Sequence, residues 1–290
     1  PLPMSKPDFL CIGAQKSGTT WLYENLAKHH QVWTPPIKEF HYFNRICMND
    51  QLLGNWGLPI PKATDMYWQA AKKLNYLELR WLRRYYELGL EKKWYRSLFA
   101  EEFKQGLKCG DLTPGYSTLD ERGVKYAAEV VGADTPIIFI IRNPIERAWS
   151  ATKMLCRYHG IEVTAANSDK IIAILNSPDV TLCGEYSRII PLWQRHFNQL
   201  HVLTYDELCH SPHNFLTKIS DIIGIDNQWD EDTIKKMVWG DTKKLQLPNE
   251  ILQHLVRQYS DELNNTYALT QLSDVEKWLD YLPNNIKAST

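Results

Sequence analysis

The segment that most constrains the fold lies near the start of the chain, at residues 11–22, where a strand, a loop of small residues and a helix follow one another. The apolar run that ends at Ile12 predicts a buried strand, and the apolar spacing from Trp21 onward predicts a helix. The loop between them holds two glycines, a lysine and three hydroxyl side chains. Because its N–H groups converge on one point and the helix N-terminus adds partial positive charge, the segment predicts an anion site.

The position of the lysine distinguishes this loop from the common triphosphate-binding loop. That motif places a lysine directly after its second glycine. Gly13 and Gly18 have the required spacing, but Thr19 stands where the lysine belongs, and Lys16 lies inside the loop instead. A lysine there is predicted to reach the bridging oxygen of a bound phosphate ester. The alternative is an ordinary glycine turn that caps a helix.

Four apolar runs along the chain predict the strands of one sheet. They are Phe9–Gly13, Leu107–Asp111, Pro136–Arg142 and Leu200–Tyr205. The third run is continuous and β-branched, which is typical of a strand buried on both faces of a parallel sheet. The helical patterns between the runs are Thr19–Lys28, Asp120–Val131, Ile145–Tyr158, Leu182–Asn198 and Pro212–Ile223. This alternation predicts a doubly wound or similar α/β sheet. The length of 290 residues and the hydrophobic content of 44% favour one domain over residues 1–290.

Two regions depart from the alternation. Residues 45–105 carry many tryptophans and tyrosines among lysines and arginines, with no run typical of a buried strand, and predict an insertion of helices and loops. Most of these aromatic residues are expected in a small second core, with an acceptor pocket as the alternative. Residues 226–290 predict a C-terminal helical segment, with helices at Asp230–Val238, Asn249–Asn264 and Ser273–Tyr281.

Composition excludes several classes of partner and site. The formal net charge of −1 gives no overall field that would recruit nucleic acid. No stretch approaches the roughly 18 apolar residues of a membrane span. The six cysteines include no CxxC pair, which argues against a zinc site and predicts a reducing, cytoplasmic location. Cys11 and Cys109 are expected as buried thiols, and pairing among Cys47, Cys156 and Cys183 is left open.

The start of the chain bears on its origin. The first predicted strand begins at Phe9, and no signal-peptide pattern precedes it. We therefore expect either a domain excised from a larger polypeptide or the lumenal domain of a trimmed membrane-anchored protein.

A second candidate anion element follows the third predicted strand. Arg142 ends that strand, Pro144 occupies the first turn of the next helix, and Ser150 lies two turns into it. An arginine at the carboxyl end of a parallel strand points into the crevice where such sheets bind ligands, and its guanidinium suits a bidentate contact with phosphate. The alternative is an ion pair between Arg142 and a nearby carboxylate.

Together the two elements resemble the sulfotransferases that use 3'-phosphoadenosine 5'-phosphosulfate (PAPS). The run from Lys16 to Trp21 matches that family's 5'-phosphosulfate loop, and the run from Arg142 to Ser150 matches its 3'-phosphate element. Further matching segments, in the family's order, are residues 38–43, 110–116, 184–186 with 192–193, and 203–208. Residues 38–43 look like the branch that holds heparan sulfate sulfotransferases and many bacterial enzymes, including sulfotransferase domains of polyketide synthases.

The resemblance implies a P-loop-like three-layer fold, with a central parallel sheet flanked by helices. It also implies in-line transfer of the sulfuryl group from PAPS to an acceptor hydroxyl or amine, with 3'-phosphoadenosine 5'-phosphate (PAP) as the product. No metal is expected, because cationic side chains and loop amides take the part that magnesium plays with ATP. The acceptor is left open among a carbohydrate, a small molecule and a β-hydroxyacyl chain on a carrier protein.

The resemblance further implies a set of residues that bind the donor. They are Gln15, Lys16, Ser17, Gly18, Thr19, Thr20, Trp21, Arg142, Ser150, Tyr186, Lys243 and Lys244. Two of them carry alternatives. Trp21 is expected either beside the adenine or in the core. Lys243 and Lys244 stand where many relatives carry a Lys-Gly-Arg-like run, so they are equally expected as a solvated charge pair.

The catalytic residues implied are Lys16, Glu39, His41 and Asp111. Lys16 is expected to stabilise the leaving 5'-phosphate oxygen, and Glu39 to take the acceptor proton. The alternative for Glu39 is a structural ion pair with Lys38 or Arg45. In an extended segment His41 would lie on the same face as Glu39. Its expected role is left open among a base, a group that orients Glu39 and a core residue. Asp111 is expected to bind the acceptor or to tune Glu39.

Some basic residues and two other functions compete with this interpretation. His159 is a further candidate base. A group of cations at helical spacing suits an anionic polysaccharide but equally a solvated face; it comprises Lys72, Lys73, Arg80, Arg83 and Arg84.

A P-loop small-molecule kinase is the first alternative function, and the displaced lysine argues against it. A PAPS-binding module without catalysis is the second, and the intact candidate residues argue against it.

Overall fold

In a computed structural model, the predicted strands form one parallel sheet. The structure describes residues 5–47, 66, 68–73, 75–87, 89–236 and 248–283. The strands are β1 Phe9–Gly13, β2 Gly110–Leu112, β3 Ile137–Ile141 and β4 Leu200–Thr204. They lie in the order β2-β1-β3-β4, and every neighbouring pair is parallel. The predicted α/β class is confirmed.

Helices connect the strands and cover both faces of the sheet. In chain order they are α1 Thr19–Leu26, α2 Tyr42–Cys47, α3 Tyr76–Tyr86, α4 Lys92–Ser97, α5 Glu101–Lys104, α6 Glu121–Val131, α7 Pro144–Tyr158, α8 Ser168–Leu175, α9 Pro178–Thr181, α10 Tyr186–His196, α11 Tyr205–His210, α12 Pro212–Ile223, α13 Glu231–Lys235, α14 Asn249–Thr270 and α15 Ser273–Trp278. Short 3-10 turns lie at Pro114–Thr118, Ala165–Asn167, Leu182–Gly184 and Leu279–Tyr281.

Several predicted element ends shift in the structure. The second strand begins at Gly110 rather than Leu107, and Lys108 forms an isolated parallel bridge with Val32. The helix predicted from Asn249 to Asn264 continues to Thr270. The helix predicted from Leu182 begins at Tyr186, after a 3-10 turn. The end predicted at Val238 lies outside the described residues.

The sheet separates two hydrophobic cores, which gives the fold its three layers. Along β3 the side chains alternate, with Ile137, Phe139 and Ile141 in one core and Ile138 and Ile140 in the other. All five are fully buried, as expected of a parallel strand covered on both faces. One core packs against α1 and α12, and the other against α6, α7 and α10. The continuous apolar run therefore reads correctly as a central strand.

The described part of the predicted insertion forms helices α3 to α5, and most of its aromatic side chains lie in the core. Trp81, Tyr85 and Tyr95 are fully buried, and Trp94 nearly so. Trp81, Tyr85 and Tyr95 pack on Phe40, whose ring centroid lies 5.8 Å from that of Trp81, and Trp94 packs on Tyr85. Trp68 is 62% exposed. Trp56 lies outside the described residues. The expected core role holds for the described tryptophans of this region other than Trp68, but the expected separate second core is wrong, because these side chains belong to the core on one face of the sheet.

The cysteines are as expected, and the helices can also be compared with the length of a membrane span. Cys11 and Cys109 are buried, and all six cysteines are free, including the three whose pairing was open. Within the described ranges, none of the helices combines the length and the apolarity that crossing a membrane requires.

Candidate active site

The loop after β1 lies at the carboxyl edge of the sheet, at the point where the order of the strands reverses direction. Strand β1 pairs with β2 on one side and β3 on the other, and such switch points open the crevice in which parallel sheets bind ligands. The N–H of Ala14 donates to the carbonyl of Ile140 at 2.7 Å, which ties the loop to β3. Gly18 precedes α1 with a φ of +88°, and a Cβ there would lie 2.7 Å from Leu208 Cδ1. Glycine is therefore required at this position.

This loop holds polar groups that the described residues do not pair. The hydroxyl of Ser17 is buried without a hydrogen-bond partner in the described structure, and so is Oε1 of Gln15. No side chain caps the start of α1. Because most buried polar groups in proteins are paired, an unused hydroxyl beside an uncapped helix N-terminus fits a loop that binds an anion.

Lys16 sits in the same loop, in a cationic surrounding. Its φ is +69°, so its side chain leaves the loop from left-handed backbone. Burial lowers the pKa of Lys16, and the positive charges of Arg142, Arg157 and Lys153 lower it further. The site therefore gathers four cations, and a bound anion would stabilise all of them together.

Arg142 joins the two predicted anion elements. Its Nη1 donates to the backbone carbonyl of Lys16 at 3.3 Å, and its guanidinium carbon lies 4.6 Å from the ring centroid of Tyr205. It also forms the ion pair that was the alternative for it, with Nη2 3.1 Å from Oε2 of Glu146. The hydroxyl of Tyr186 holds the Arg142 backbone, donating to its carbonyl at 2.7 Å. The guanidinium is thus fixed at the edge of the loop.

One face of α7 extends this cationic surface. Ser150 lies four residues after Glu146, and Lys153 and Arg157 follow at spacings of three and four, which places all four side chains on one helix face. Ser150 and Lys153 are half-buried and Arg157 is exposed. The structure therefore puts Ser150 on the face of α7 that carries the cations around Lys16.

Glu39 approaches the loop from the segment before α2. Its Oε1 lies 2.9 Å from Nζ of Lys38, and its Oε2 lies 3.6 Å from Nε2 of His41. Lys38 also donates to the hydroxyl of Thr20 on α1 at 3.1 Å. Glu39 and His41 meet as expected, but through positive φ values of 67° and 50° rather than an extended strand. The Glu39 side chain is 36% exposed, so it is only partly shielded from solvent.

The electrostatics of Glu39 keep its carboxylate ionised. Burial raises the pKa of Glu39, but the contact with His41 and the charge and hydrogen bond of Lys38 outweigh it and lower the pKa from 4.5 to about 2. A pKa depressed in the folded state contributes stability that is present above the unfolded pKa and is lost as the pH falls toward the folded one.

We therefore expect the stability difference between the wild type and Glu39→Gln to depend on pH. The wild type should have the higher melting temperature near neutral pH, because only it carries the paired carboxylate. The difference should shrink as the pH falls from about 4.5 toward about 2. Differential scanning fluorimetry of both proteins across this range is the measurement. A difference that stays constant with pH would contradict the pairing.

Asp111 is the middle residue of β2, beneath this segment, and is 2% exposed. It accepts hydrogen bonds from the hydroxyls of Thr113 at 2.6 Å, Tyr116 at 2.7 Å and Tyr95 at 2.9 Å. Burial raises its pKa, and these hydrogen bonds oppose the rise. Because three protein hydroxyls occupy its carboxylate, Asp111 lies in a closed network rather than on the open surface beside Glu39.

The remaining candidates take various positions. Trp21 lies in the core at 2% exposure, edge-on to Phe215, and its Nε1 donates to the carbonyl of Ile234 at 3.4 Å. A contact between Trp21 and adenine stays a prediction. His159 is exposed at the end of α7. Lys243 and Lys244 lie outside the described residues.

The basic residues of the insertion fall into two sets, two arginines in ion pairs and three exposed side chains. Arg80 and Arg84 form ion pairs with the two carboxylate oxygens of Glu102. Lys72, Lys73 and Arg83 are exposed. This arrangement agrees with the solvated-face alternative, because the two arginines are already paired on the surface.

Several contributors to the site were not assigned from the sequence. Tyr205 under Arg142 and the pair of Thr113 and Tyr116 around Asp111 depend on contacts between distant parts of the chain. Lys153 and Arg157, by contrast, follow Ser150 at helical spacing along α7, and this spacing was a usable signal.

One group of described residues has the composition of a metal site, away from the loop. Nε2 of His29 and Nε2 of His30 lie 3.2 and 3.0 Å from the carboxylate oxygens of Asp226. The N–H of Gln31 donates to Nδ1 of His29 at 3.2 Å, so in the neutral ring Nε2 carries the proton. His29 therefore offers a donor there rather than a metal ligand. That the chain needs no metal stays a prediction.

Comparisons with known proteins agree with the fold. Residues 7–231 match the model of the sulfotransferase family. No curated protein matches the chain. A solved sulfotransferase from Alicyclobacillus acidocaldarius is similar with a TM-score of 0.64 and 18% identity, covering 94% of this chain and 99% of that one. The sulfotransferase domain of an olefin synthase from Synechococcus PCC 7002 has a TM-score of 0.53 and 20% identity, covering 86% and 83%. At these identities the two structures share the fold.

Proposed function

The chain belongs to the sulfotransferase family, and from this premise we propose that it transfers the sulfuryl group of PAPS to an acceptor hydroxyl or amine and releases PAP. Family membership supports sulfotransfer as the activity. The choice of PAPS as the donor is supported by the residues present, because the β1–α1 loop with Lys16 and the β3–α7 element with Arg142 and Ser150 offer separate cationic positions for two phosphate groups.

The observation that carries the proposal is the meeting of these two elements. Arg142 Nη1 lies 3.3 Å from the Lys16 carbonyl, although the residues are 126 positions apart. A ligand with a single phosphate requires one cationic position. A nucleotide with phosphate at both the 5' and 3' positions requires two, and Arg142 with Ser150 would hold the second. The unpaired hydroxyl of Ser17 fits the first.

The chain's own residues supply positioning and charge. Sulfuryl transfer resembles phosphoryl transfer, in which the protein mainly aligns the reactants and stabilises charge. Lys16 would stabilise the negative charge that develops on the leaving 5'-phosphate oxygen, and the N–H groups from Ser17 to Thr20 would hold that phosphate. The depressed pKa of Lys16 makes its ammonium a better proton donor at this oxygen.

Glu39 would act on the acceptor. Its carboxylate is ionised, partly exposed and linked through Lys38 to Thr20 at the start of α1. It would accept the proton of the acceptor hydroxyl or amine as the bond to sulfur forms. His41 would hold the carboxylate in place from its other side. The acceptor is proposed only as a class, since a carbohydrate, a small molecule and a carrier-bound acyl chain all offer a hydroxyl.

Transfer from labelled donor tests this proposal. Purified protein is incubated with [35S]PAPS and a panel of hydroxyl and amine acceptors, in the presence of a chelator, and PAP binding is measured by calorimetry. We expect PAP binding and labelled product with the chelator present. Phosphorylation from ATP and magnesium without PAP binding would replace the proposal by a kinase. PAP binding without transfer to any acceptor of the panel would favour a binding module.

The role of Arg142 gives a prediction about nucleotide selectivity. Arg142→Met is expected to weaken PAP binding about 10- to 100-fold, because a hydrogen bond between charged groups is lost. Binding of adenosine 5'-phosphate, which lacks the 3'-phosphate, should change by less than about three-fold. Arg195→Met, which removes an exposed arginine on α10, is the control. Equal losses for the two nucleotides would contradict a 3'-phosphate contact.

A further inference from the structure

The buried carboxylate of Asp111 lies at the centre of a network that reaches the segment bearing Glu39. The Thr113 hydroxyl donates to Oδ1 of Asp111 at 2.6 Å and accepts from the backbone N–H of Phe40 at 3.0 Å. The Tyr116 hydroxyl donates to Oδ2 at 2.7 Å and accepts from the backbone N–H of Tyr42 at 3.2 Å. Two hydroxyl groups therefore connect one carboxylate to two amides of the same short segment.

The two backbone amides, of Phe40 and Tyr42, alternate along the chain with Glu39 and His41. Phe40 lies between Glu39 and His41, and Tyr42 directly follows His41. Glu39 and His41 have φ values of 67° and 50°, in the left-handed region that non-glycine residues seldom adopt. Such backbone persists only where surrounding contacts hold it. The hydrogen bonds to Phe40 and Tyr42 are contacts of this kind.

The backbone N–H groups on one side and the oxygens of Asp111 on the other set the direction of both connections. A carboxylate only accepts hydrogen bonds, so the single proton of each hydroxyl points to Asp111. Each hydroxyl oxygen is then left to accept from a backbone N–H. An amide in place of the carboxylate would donate to one hydroxyl, whose own proton would lose its acceptor. The network thus requires an acid rather than any polar residue at this position.

We infer that Asp111 is a positioning residue for the transfer reaction, which fixes Glu39 and His41 by orienting the hydroxyls of Thr113 and Tyr116. We call these three residues the Asp111 clamp. The inference rests on the proposed function of Glu39 for its effect on rate. Its effect on the backbone of the segment is independent of any reaction.

The chain offers a matched control. Tyr95 donates to the same Oδ2 of Asp111 at 2.9 Å, and its ring stacks on Tyr42 with centroids 4.4 Å apart. The Tyr95 hydroxyl takes part in neither of the hydrogen bonds from the backbone N–H groups of Phe40 and Tyr42. Tyr95→Phe and Tyr116→Phe therefore remove the same chemical group from the same carboxylate oxygen, but only the second cuts the clamp. Thr113→Val cuts the other connection, and Thr113→Ser retains it.

Two measurements test the clamp. The first is kcat with saturating PAPS and PAP affinity by calorimetry. Thr113→Val and Tyr116→Phe are expected to lower kcat about 10- to 100-fold, as small displacements of catalytic groups do, while PAP affinity changes less than about three-fold. Thr113→Ser should restore kcat, and Tyr95→Phe should leave it near the wild-type value. Asp111→Asn should resemble the two cutting variants.

The second measurement is hydrogen exchange in peptides that cover residues 38–44. Thr113→Val and Tyr116→Phe are expected to speed exchange about five-fold, the equivalent of one lost hydrogen bond, whereas Tyr95→Phe should not. If Tyr95→Phe changes exchange and kcat as much as Tyr116→Phe, the network is a general core and the clamp is wrong. If the wild type transfers no sulfuryl group, the proposed function fails, and the exchange data still decide the clamp.

Discussion

Lys16→Met is expected to lower kcat for sulfuryl transfer about 100- to 1,000-fold, the loss typical of removing one group that stabilises charge in a transition state. Methionine keeps the apolar stem of the side chain and removes the ammonium group, so packing against the loop is retained. Lys16→Ala should show the same loss. We expect no large loss of stability from either variant, because burial and three neighbouring cations already disfavour the charged form of Lys16.

The distribution of the loss between binding and chemistry is the informative part. If Lys16 acts on the leaving oxygen, kcat falls more than PAP affinity, since Arg142, Ser150 and the loop amides still hold the product. Single-turnover rates with [35S]PAPS and calorimetry with PAP measure the two quantities. Lys28→Met, which removes the same charge from an exposed position just after α1, is the matched control. A Lys16→Met variant with near-normal turnover would rule out the mechanism proposed above.

The sheet and the positions of the β1–α1 loop and the β3–α7 element could be predicted from the sequence because each depends on a local pattern. The continuous β-branched run of β3 is typical of a strand covered on both faces. Once the strands are parallel, the residues that follow β1 and β3 must meet at the same edge, and Lys16 and Arg142 do so. Helix α1 also begins at Thr19, where the glycine-rich loop ends.

The surroundings of Glu39 could not be predicted in the same way. The hydrogen bond between Phe40 and Thr113 spans 73 positions, and that between Tyr42 and Tyr116 spans 74. The left-handed backbone of Glu39 and His41 opposes their intrinsic preference and is decided by these distant contacts. The sequence places Asp111 at the end of a predicted strand, which favours a role toward the acceptor, and its three hydroxyl partners become visible only in the folded chain.

Glu39→Gln is expected to lower the rate of transfer about 100- to 10,000-fold, the range for loss of a general base. The amide keeps the size of the side chain but cannot take the proton from the hydroxyl or amine that receives the sulfuryl group. Donor binding should be nearly unchanged, because Glu39 contacts Lys38 and His41 rather than the loop of Lys16. Glu24→Gln, on the exposed face of α1, is the control.

The pH profile separates this role from a structural one. Because the pKa of Glu39 is lowered to about 2, the carboxylate stays ionised across the range in which the protein is assayed, and titration of Glu39 should give no loss of rate near pH 4.5. A carboxylate this acidic is a weak base toward a free hydroxyl. It becomes effective only as the hydroxyl oxygen bonds to sulfur and its proton becomes acidic, so proton transfer and sulfuryl transfer should occur in one step. Solvent deuterium should then slow single-turnover transfer in the wild type and have a smaller effect in Glu39→Gln. A Glu39→Gln protein that melts at a lower temperature but retains the wild-type rate per folded molecule would show that Glu39 serves the ion pair with Lys38 and that the base lies elsewhere.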